Sequence, residues 1–204
     1  MAIVINGSGT VTGISVGGLP DGIVDDGTLA TDSVTAAKLK DDAIATGDLP
    51  AGSVLQVVSN TWTTATSVAS TSYTSVGDSA TSITPSATTS KILILVNFQA
   101  FIRFDDEGHQ YASFEITRDT DTTVREFGAA IREYYLAREA PDAGTAKLWG
   151  GNFGMSFLDS PSSTSSLEYA LTMKCLTTSS TGRVIVNEAG TGAASTITLM
   201  EIGA

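Results

Sequence analysis

An aliphatic side chain recurs at every fifth position through the first quarter of the chain: Ile14, Leu19, Val24, Leu29, Val34, Leu39, Ile44, Leu49 and Val54. The series alternates, with Leu at 19, 29, 39 and 49 and Ile or Val at the positions between, so the true repeat is ten residues. Its flanks follow in part. Asp32-Ser33-Val34 matches Asp42-Ala43-Ile44, and Leu19-Pro20-Asp21-Gly22 returns as Leu49-Pro50-Ala51-Gly52. Such a period is neither helical nor strand-like. Sustained self-similarity points instead to a repetitive rod.

A single chain cannot hold such a rod. Burying one Leu or Val contributes about 1.5–3 kcal/mol, whereas ordering the backbone costs about 1–2 kcal/mol for each residue. Backbone hydrogen bonds and apolar contacts between chains must supply the difference. The spacing therefore predicts several chains wound about one axis with the every-fifth residue inward; three is the usual number in viral fibres. An acidic linker would also suit Asp21, Asp25, Asp26, Asp32, Asp41, Asp42 and Asp48 against Lys38 and Lys40. It would have no need of a fixed apolar spacing. A short helical turn over Ser33 to Leu39, capped by Asp32 or Ser33, is compatible with the repeat.

Charge narrows the partners. Lys and Arg total 11 against 22 Asp and Glu, a net charge of -11. Nucleic-acid binding usually needs a basic patch, and anionic membranes attract basic segments, so neither partner is expected. The longest aliphatic run, Ile92 to Val96, is far too short to span a bilayer. The start, Met1-Ala-Ile-Val-Ile-Asn-Gly-Ser-Gly, lacks the basic segment of a secretory signal. Synthesis in a cytoplasm without export by a signal peptide is the expectation, and Asn6-Gly7 reads as a turn. Cys175 is the one cysteine. It cannot form an internal disulfide, no Cys/His cluster has metal-site spacing, and it reads as a small core residue.

From about Ser53 the pattern becomes that of strands. Ile92, Ile94, Val96, Phe98, Ala100, Ile102 and Phe104 share one face of a long central strand. Ala112, Phe114 and Ile116 alternate with Ser113, Glu115 and Thr117, and Leu167, Tyr169, Leu171, Met173 and Cys175 alternate with Glu168, Ala170, Thr172 and Lys174. Val184 and Val186 form a short strand. In the last strand Ile197 and Leu199 take one face, Met200 and Ile202 the other. Turn signals at 105–108, 141–144, 159–161 and 187–192, with Thr-rich stretches at 61–66 and 71–84, complete a β-sandwich of jelly-roll type over 54–204. Val124, Phe127, Ile131, Tyr134 and Tyr135 have helical spacing. The same stretch also reads as a strand from Ala130 to Leu136, and its β neighbours favour strand plus loop.

Catalytic chemistry is sparse. His109 is the only histidine, so any Ser-His-Asp or Cys-His arrangement would depend on it. No phosphate loop ending in Gly-Lys-Ser/Thr exists. Asp105, Asp106 and Glu107 offer oxygen ligands for Ca²⁺ but read better as a solvated acidic turn. A glycosidase needs two carboxylates across a cleft; with 22 acids some pair is inevitable and carries no weight. Tyr134, Tyr135, Trp149 and Trp62 are candidates to stack on sugar rings, with Arg132, Arg138, Lys147 and Asn152 as hydrogen-bond donors. The competing reading of each aromatic is core. No cofactor, no metal and no enzymatic activity are expected.

Several stretches resemble fibre-like proteins of cyanobacterial and marine tailed phages. In the first half these are Ile5-Asn6-Gly7-Ser8-Gly9, Gly13 through Gly22 and Ser33-Val34-Thr35-Ala36-Ala37-Lys38-Leu39. The second half is similar to a domain of the same phages through Val54-Leu55-Gln56-Val57-Val58, Ser82-Ile83-Thr84-Pro85-Ser86, Ser90-Lys91-Ile92-Leu93, Phe157 through Pro161 and Thr196 through Ile202. Residues 119–156 depart most from that pattern. The resemblance implies a virion protein: a segment 1–18 attached to a tail or baseplate protein, a homotrimeric stalk over 19–53, and a β-tip that binds a host surface glycan. A head fibre or a capsid decoration (cement) protein is the alternative. The resemblance carries no catalytic residues.

Overall fold

The computed structural model describes residues 4–5, 11–12, 29, 31, 34–35, 39, 44–104, 108–119, 122–123, 134–140, 147–175, 182–189 and 192–204. The chain divides into two compact units, Met1–Ala45 and Thr46–Ala204. In the first, β1 (Val4–Ile5) pairs antiparallel with β2 (Val11–Thr12), Ile5 opposite Val11. The Asn6-Gly7 turn lies outside the described residues. Further along, the backbone bends at Leu29, Val34, Leu39 and Ile44, and in the second unit again at Leu49.

Among its described residues the second unit is all-β apart from one 3-10 turn at Thr46–Asp48. Its strands are β3 (Val54–Trp62), β4 (Thr66–Val68), β5 (Thr74–Ser75), β6 (Thr81–Ile83), β7 (Lys91–Phe104) and β8 (Gly108–Arg118). They continue with β9 (Thr122–Thr123), β10 (Tyr134–Ala140), β11 (Lys147–Asp159), β12 (Leu167–Cys175), β13 (Arg183–Val186) and β14 (Ser195–Ile202). They form two six-stranded antiparallel sheets. In one, β9 and β10 lie along one edge of β8, β12 along the other, and β5 and β6 beyond β12. In the other, β11 lies along one edge of β7, β13 and β14 along the other, with β4 and β3 outermost. The arrangement is consistent with a jelly-roll-like β-sandwich.

The core lies between the sheets. Every second residue of β7 from Ile92 to Ile102 is buried, and Phe98 meets Phe114 of β8 with ring centroids 4.9 Å apart. On β12, Leu167, Tyr169, Leu171, Met173 and Cys175 are buried, as their alternation predicts. Ile197 and Leu199 are fully buried while Met200 and Ile202 are half-exposed. Cys175 is a core residue whose Sγ donates to the Val68 carbonyl at 3.3 Å. Each fully buried aliphatic contributes about 1.5–3 kcal/mol. The second face of β8 and β12 is also covered at Ser113, Glu115, Ala170 and Thr172. Over part of it lies Tyr73, whose hydroxyl pairs with Ser113 at 2.8 Å and whose ring receives the Lys174 ammonium at 4.0 Å.

Strand β11, which sequence reading did not anticipate, follows β7 for its whole length, from Lys147 opposite Phe104 to Asp159 opposite Ile92. Glycine makes the close approach possible. A Cβ at Gly150 would sit 2.0 Å from the Ala100 carbonyl oxygen, whereas one at Gly151 would meet nothing within 4 Å. The ambiguous segment after Thr123 ends in strand β10, and residues 124–133 lie outside the described set.

Two buried polar nodes tie β3 to β14 within one sheet. Asn187, at φ 55, donates from Nδ2 to the Trp62 carbonyl at 3.0 Å and accepts from Ser195 Oγ at 2.6 Å. It thereby joins the end of β3 to the start of β14. Glu201, 1% exposed, accepts from Gln56 Nε2 at 2.6 Å and from the Ser86 amide and hydroxyl at 2.7 and 2.6 Å. Burial works to raise its pKa, but the hydrogen bonds from Ser86 and Gln56 outweigh it and hold the carboxyl below its usual range. A carboxylate with a depressed folded pKa lends stability that is fully present above its unfolded value and lost as pH falls through the folded one.

Two stability measurements check this packing. Gly150→Ala should cost about 1–3 kcal/mol through forced separation of β7 and β11, while Gly151→Ala leaves the denaturation midpoint nearly unchanged. Glu201→Gln should cost about 1.5–3 kcal/mol at neutral pH. Its deficit against the parent should shrink as pH is lowered through and below the ordinary value of 4.5.

Candidate functional site

The every-fifth residues that the structure describes are Leu29, Val34, Leu39, Ile44, Leu49 and Val54. All are exposed in the single chain, between 39% and 56%. Ile14, Leu19 and Val24 lie outside the described residues. Five of the six, Leu29, Val34, Leu39, Ile44 and Leu49, stand at backbone bends, whereas Val54 opens strand β3. Ser53 ties to Pro50 through its amide at 3.1 Å and its hydroxyl at 2.7 Å. Gly52 and Ser53 then pair with Gly203 at 2.7 and 2.9 Å, which anchors the end of the series on the sandwich without covering Val54.

The sugar-stacking candidates separate. Trp62 is 3% exposed and belongs to the core, so it takes no part in ligand contact. Tyr134, Tyr135 and Arg138 stand on β10, in register with Phe114, Ser113 and Gln110 of β8. Trp149 stands on β11, in register with Ile102 of β7. Strands β10 and β11 run along the same-side edges of the central strands β8 and β7, one in each sheet. Arg132 lies outside the described residues. Asn152 is exposed on β11 opposite Gln99.

One constellation has the residue types of a reactive centre. Asp159 Oδ2 accepts from Arg118 Nη1 and from the Tyr169 hydroxyl, each at 2.6 Å, and Oδ1 accepts the Ser160 amide at 2.8 Å. Burial first, and then the hydrogen bond and charge of Asp159, raise the Tyr169 pKa far above the usual phenol value, so the hydroxyl remains a donor. Burial alone would lower the Arg118 pKa; the hydrogen bond and charge of Asp159 raise it. The tyrosine is fully buried and Asp159 nearly so. With both carboxylate oxygens engaged and no solvent access to the phenol, the group braces β11 of one sheet against β8 and β12 of the other. Removing one partner of such a pair costs about 3–5 kcal/mol. Sequence reading took Asp159 only as a turn residue, since its partners lie 41 and 10 positions away.

His109 stands in β8, opposite Glu139 of β10. The acidic turn at 105–107 lies outside the described residues. Among the described residues no group of three His, Cys, Asp or Glu is placed to hold a metal ion, and no helix is long and apolar enough to cross a membrane.

No protein-family model matches the chain, and no curated protein matches it. Among solved structures it is similar to that of the Gx strain of infectious bursal disease virus, with 14% identity, 74% of this chain and 39% of that chain covered, and a TM-score of 0.24. The VP2 subviral particle of the same virus gives 14% identity, coverage of 73% and 38%, and a TM-score of 0.25. Particles derived from a D431N mutant of its VP2 protein give 16%, 73% and 36%, and 0.21. The chain thus spans under two-fifths of the length of the viral chains it overlaps. Overlaps of this size assign no role to the chain.

Proposed function

We propose that this chain is a structural protein of a phage particle: a short trimeric tail fibre whose sandwich binds the host cell surface. The observation that carries the reading is the aliphatic series left uncovered in the single chain, exposed at all six described positions from Leu29 to Val54. Three copies around one axis bury each of these side chains against its counterparts. The cost of ordering an extended stalk is then shared among three chains. In this account residues 1–18 dock on a tail or baseplate protein, 19–53 form the stalk, and 54–204 form the tip.

At the tip, Tyr135 and Arg138 of β10, with Arg132 near them in sequence, are the contacts offered to a surface polysaccharide; Tyr134 and Trp149 are in register with the buried Phe114 and Ile102 and so share the core-facing side of their strands. Three identical tips on one axis give avidity for a repetitive glycan without a tight single site. The role needs no catalysis, cofactor or nucleic-acid contact. Placement on the capsid as a head fibre or cement protein would use the same stalk.

Sedimentation equilibrium of the purified chain should give the mass of three chains at micromolar concentration; a monomer there contradicts the fibre. Leu29→Asp or Leu39→Asp should lower the melting temperature of the trimer, since each removes about 1.5–3 kcal/mol of apolar burial per chain. Electron microscopy with an antibody label should place the protein at the tail. Label over the capsid would favour the head-fibre alternative.

A further inference from the structure

The outer face of a sandwich sheet is ordinarily polar, but one end of the sheet built on β7 is not. The strand registers line up Leu158 of β11, Leu93 of β7, Met200 of β14 and Val57 of β3 in a single row across that face. The adjoining row is Lys91, Ile202 and Val54. On the other side the rows become polar: Ser156, Leu95, Thr198 and Ser59, then Gly154, Asn97, Thr196 and Thr61. Among the described residues of the strands, the large aliphatics that stand exposed are Val54, Val57 and Leu158, at 51%, 55% and 44%. All three lie in these two adjoining rows. A break in register between Glu201 and Ile202 sets Val54 on this face.

We infer that this end of the face packs against second copies of the same chain and is the subunit contact of the tip; the inference rests on the trimeric reading above. Charge selects the occupant. The chain carries 22 acids against 11 bases, so its copies repel one another over most of their surface. None of the residues in these four rows is acidic, and Lys91 is the one charged group among them. This is a surface on which copies can approach without facing carboxylates. A single lysine is too little for a nucleic acid or an anionic membrane. The row crosses four strands, about 14 Å from end to end at the usual strand spacing, a width that suits another protein face better than a small ligand. Val54 is also the last of the every-fifth residues, so the aliphatic series ends on this same face.

Cysteine modification of the purified full chain tests this, because native Cys175 is fully buried. Val57→Cys and Leu158→Cys change exposed side chains and should leave the circular dichroism of the strands intact. In the trimer both should react with a maleimide at least about tenfold more slowly than Thr164→Cys, an exposed loop position, which corresponds to a protection of about 1.4 kcal/mol. Leu29→Asp combined with Leu39→Asp, under dilution at which that variant sediments as a monomer, should restore the fast rate. A protein that sediments as a trimer yet modifies Val57→Cys as fast as Thr164→Cys overturns this contact and leaves the fibre standing. A protein that sediments as a monomer overturns the fibre reading and this contact with it.

Discussion

An aliphatic side chain that recurs at every fifth position finds no cover among the described residues of its own chain. Helices and strands bury aliphatics because their periods bring residues back to one face; a period of five with a bend at each repeat does neither. The described side chains of the series from Leu29 to Val54 accordingly stand exposed in the single chain. The proposal about assembly rests on that exposure, since apolar contact between chains would cover these side chains.

The second unit, Thr46–Ala204, solves a different problem. It buries its own core between two sheets, and buried polar groups with bonded partners fasten sheet to sheet at Asp159 and strand to strand at Glu201 and Asn187. Asp159 reaches from β11 to Arg118 and Tyr169 in the opposite sheet, and Glu201 gathers Gln56 and Ser86. Asn187 holds the ends of β3 and β14 together. Because these nodes are buried and well bonded, they fix which strands lie side by side. Register, in turn, decides what appears outside: the same pairing that buries Ile94 and Leu199 aligns Leu158, Leu93, Met200 and Val57 on the solvent face.

Much of this was legible in the residues, for a physical reason that also marks where legibility ended. Strands β7, β12 and β14 announce themselves because the core-facing side of each carries the large apolar residues, which writes alternation into the sequence. Strand β11 also has apolar alternation at Phe153, Met155 and Phe157, but Gly150, Gly151 and Gly154 interrupt it. Glycine is there because β7 comes too near for a Cβ at position 150. The short strands β4, β5, β6 and β9 are too brief to carry a period. The buried nodes left no local trace, since Gln56 and Glu201 are 145 positions apart. The apolar row on the outer sheet face was invisible for the same cause: it exists only once four strands are in register. For the candidate site, the aliphatic spacing was plain from the start. Among the aromatic candidates, sequence alone did not separate Trp62, a core residue, from Tyr134, Tyr135 and Trp149 on the edge strands.

The most direct measurement is dipolar coupling between nitroxide labels placed one per chain along the repeat, with buried Cys175 left unlabelled. Labels at Val34, Leu39 and Ile44 should show strong coupling between chains, and labels at Thr31 and Thr46, midway between members of the series, weaker coupling. Absence of coupling at all five positions, or coupling without the five-residue rhythm, would contradict an axis lined by these side chains.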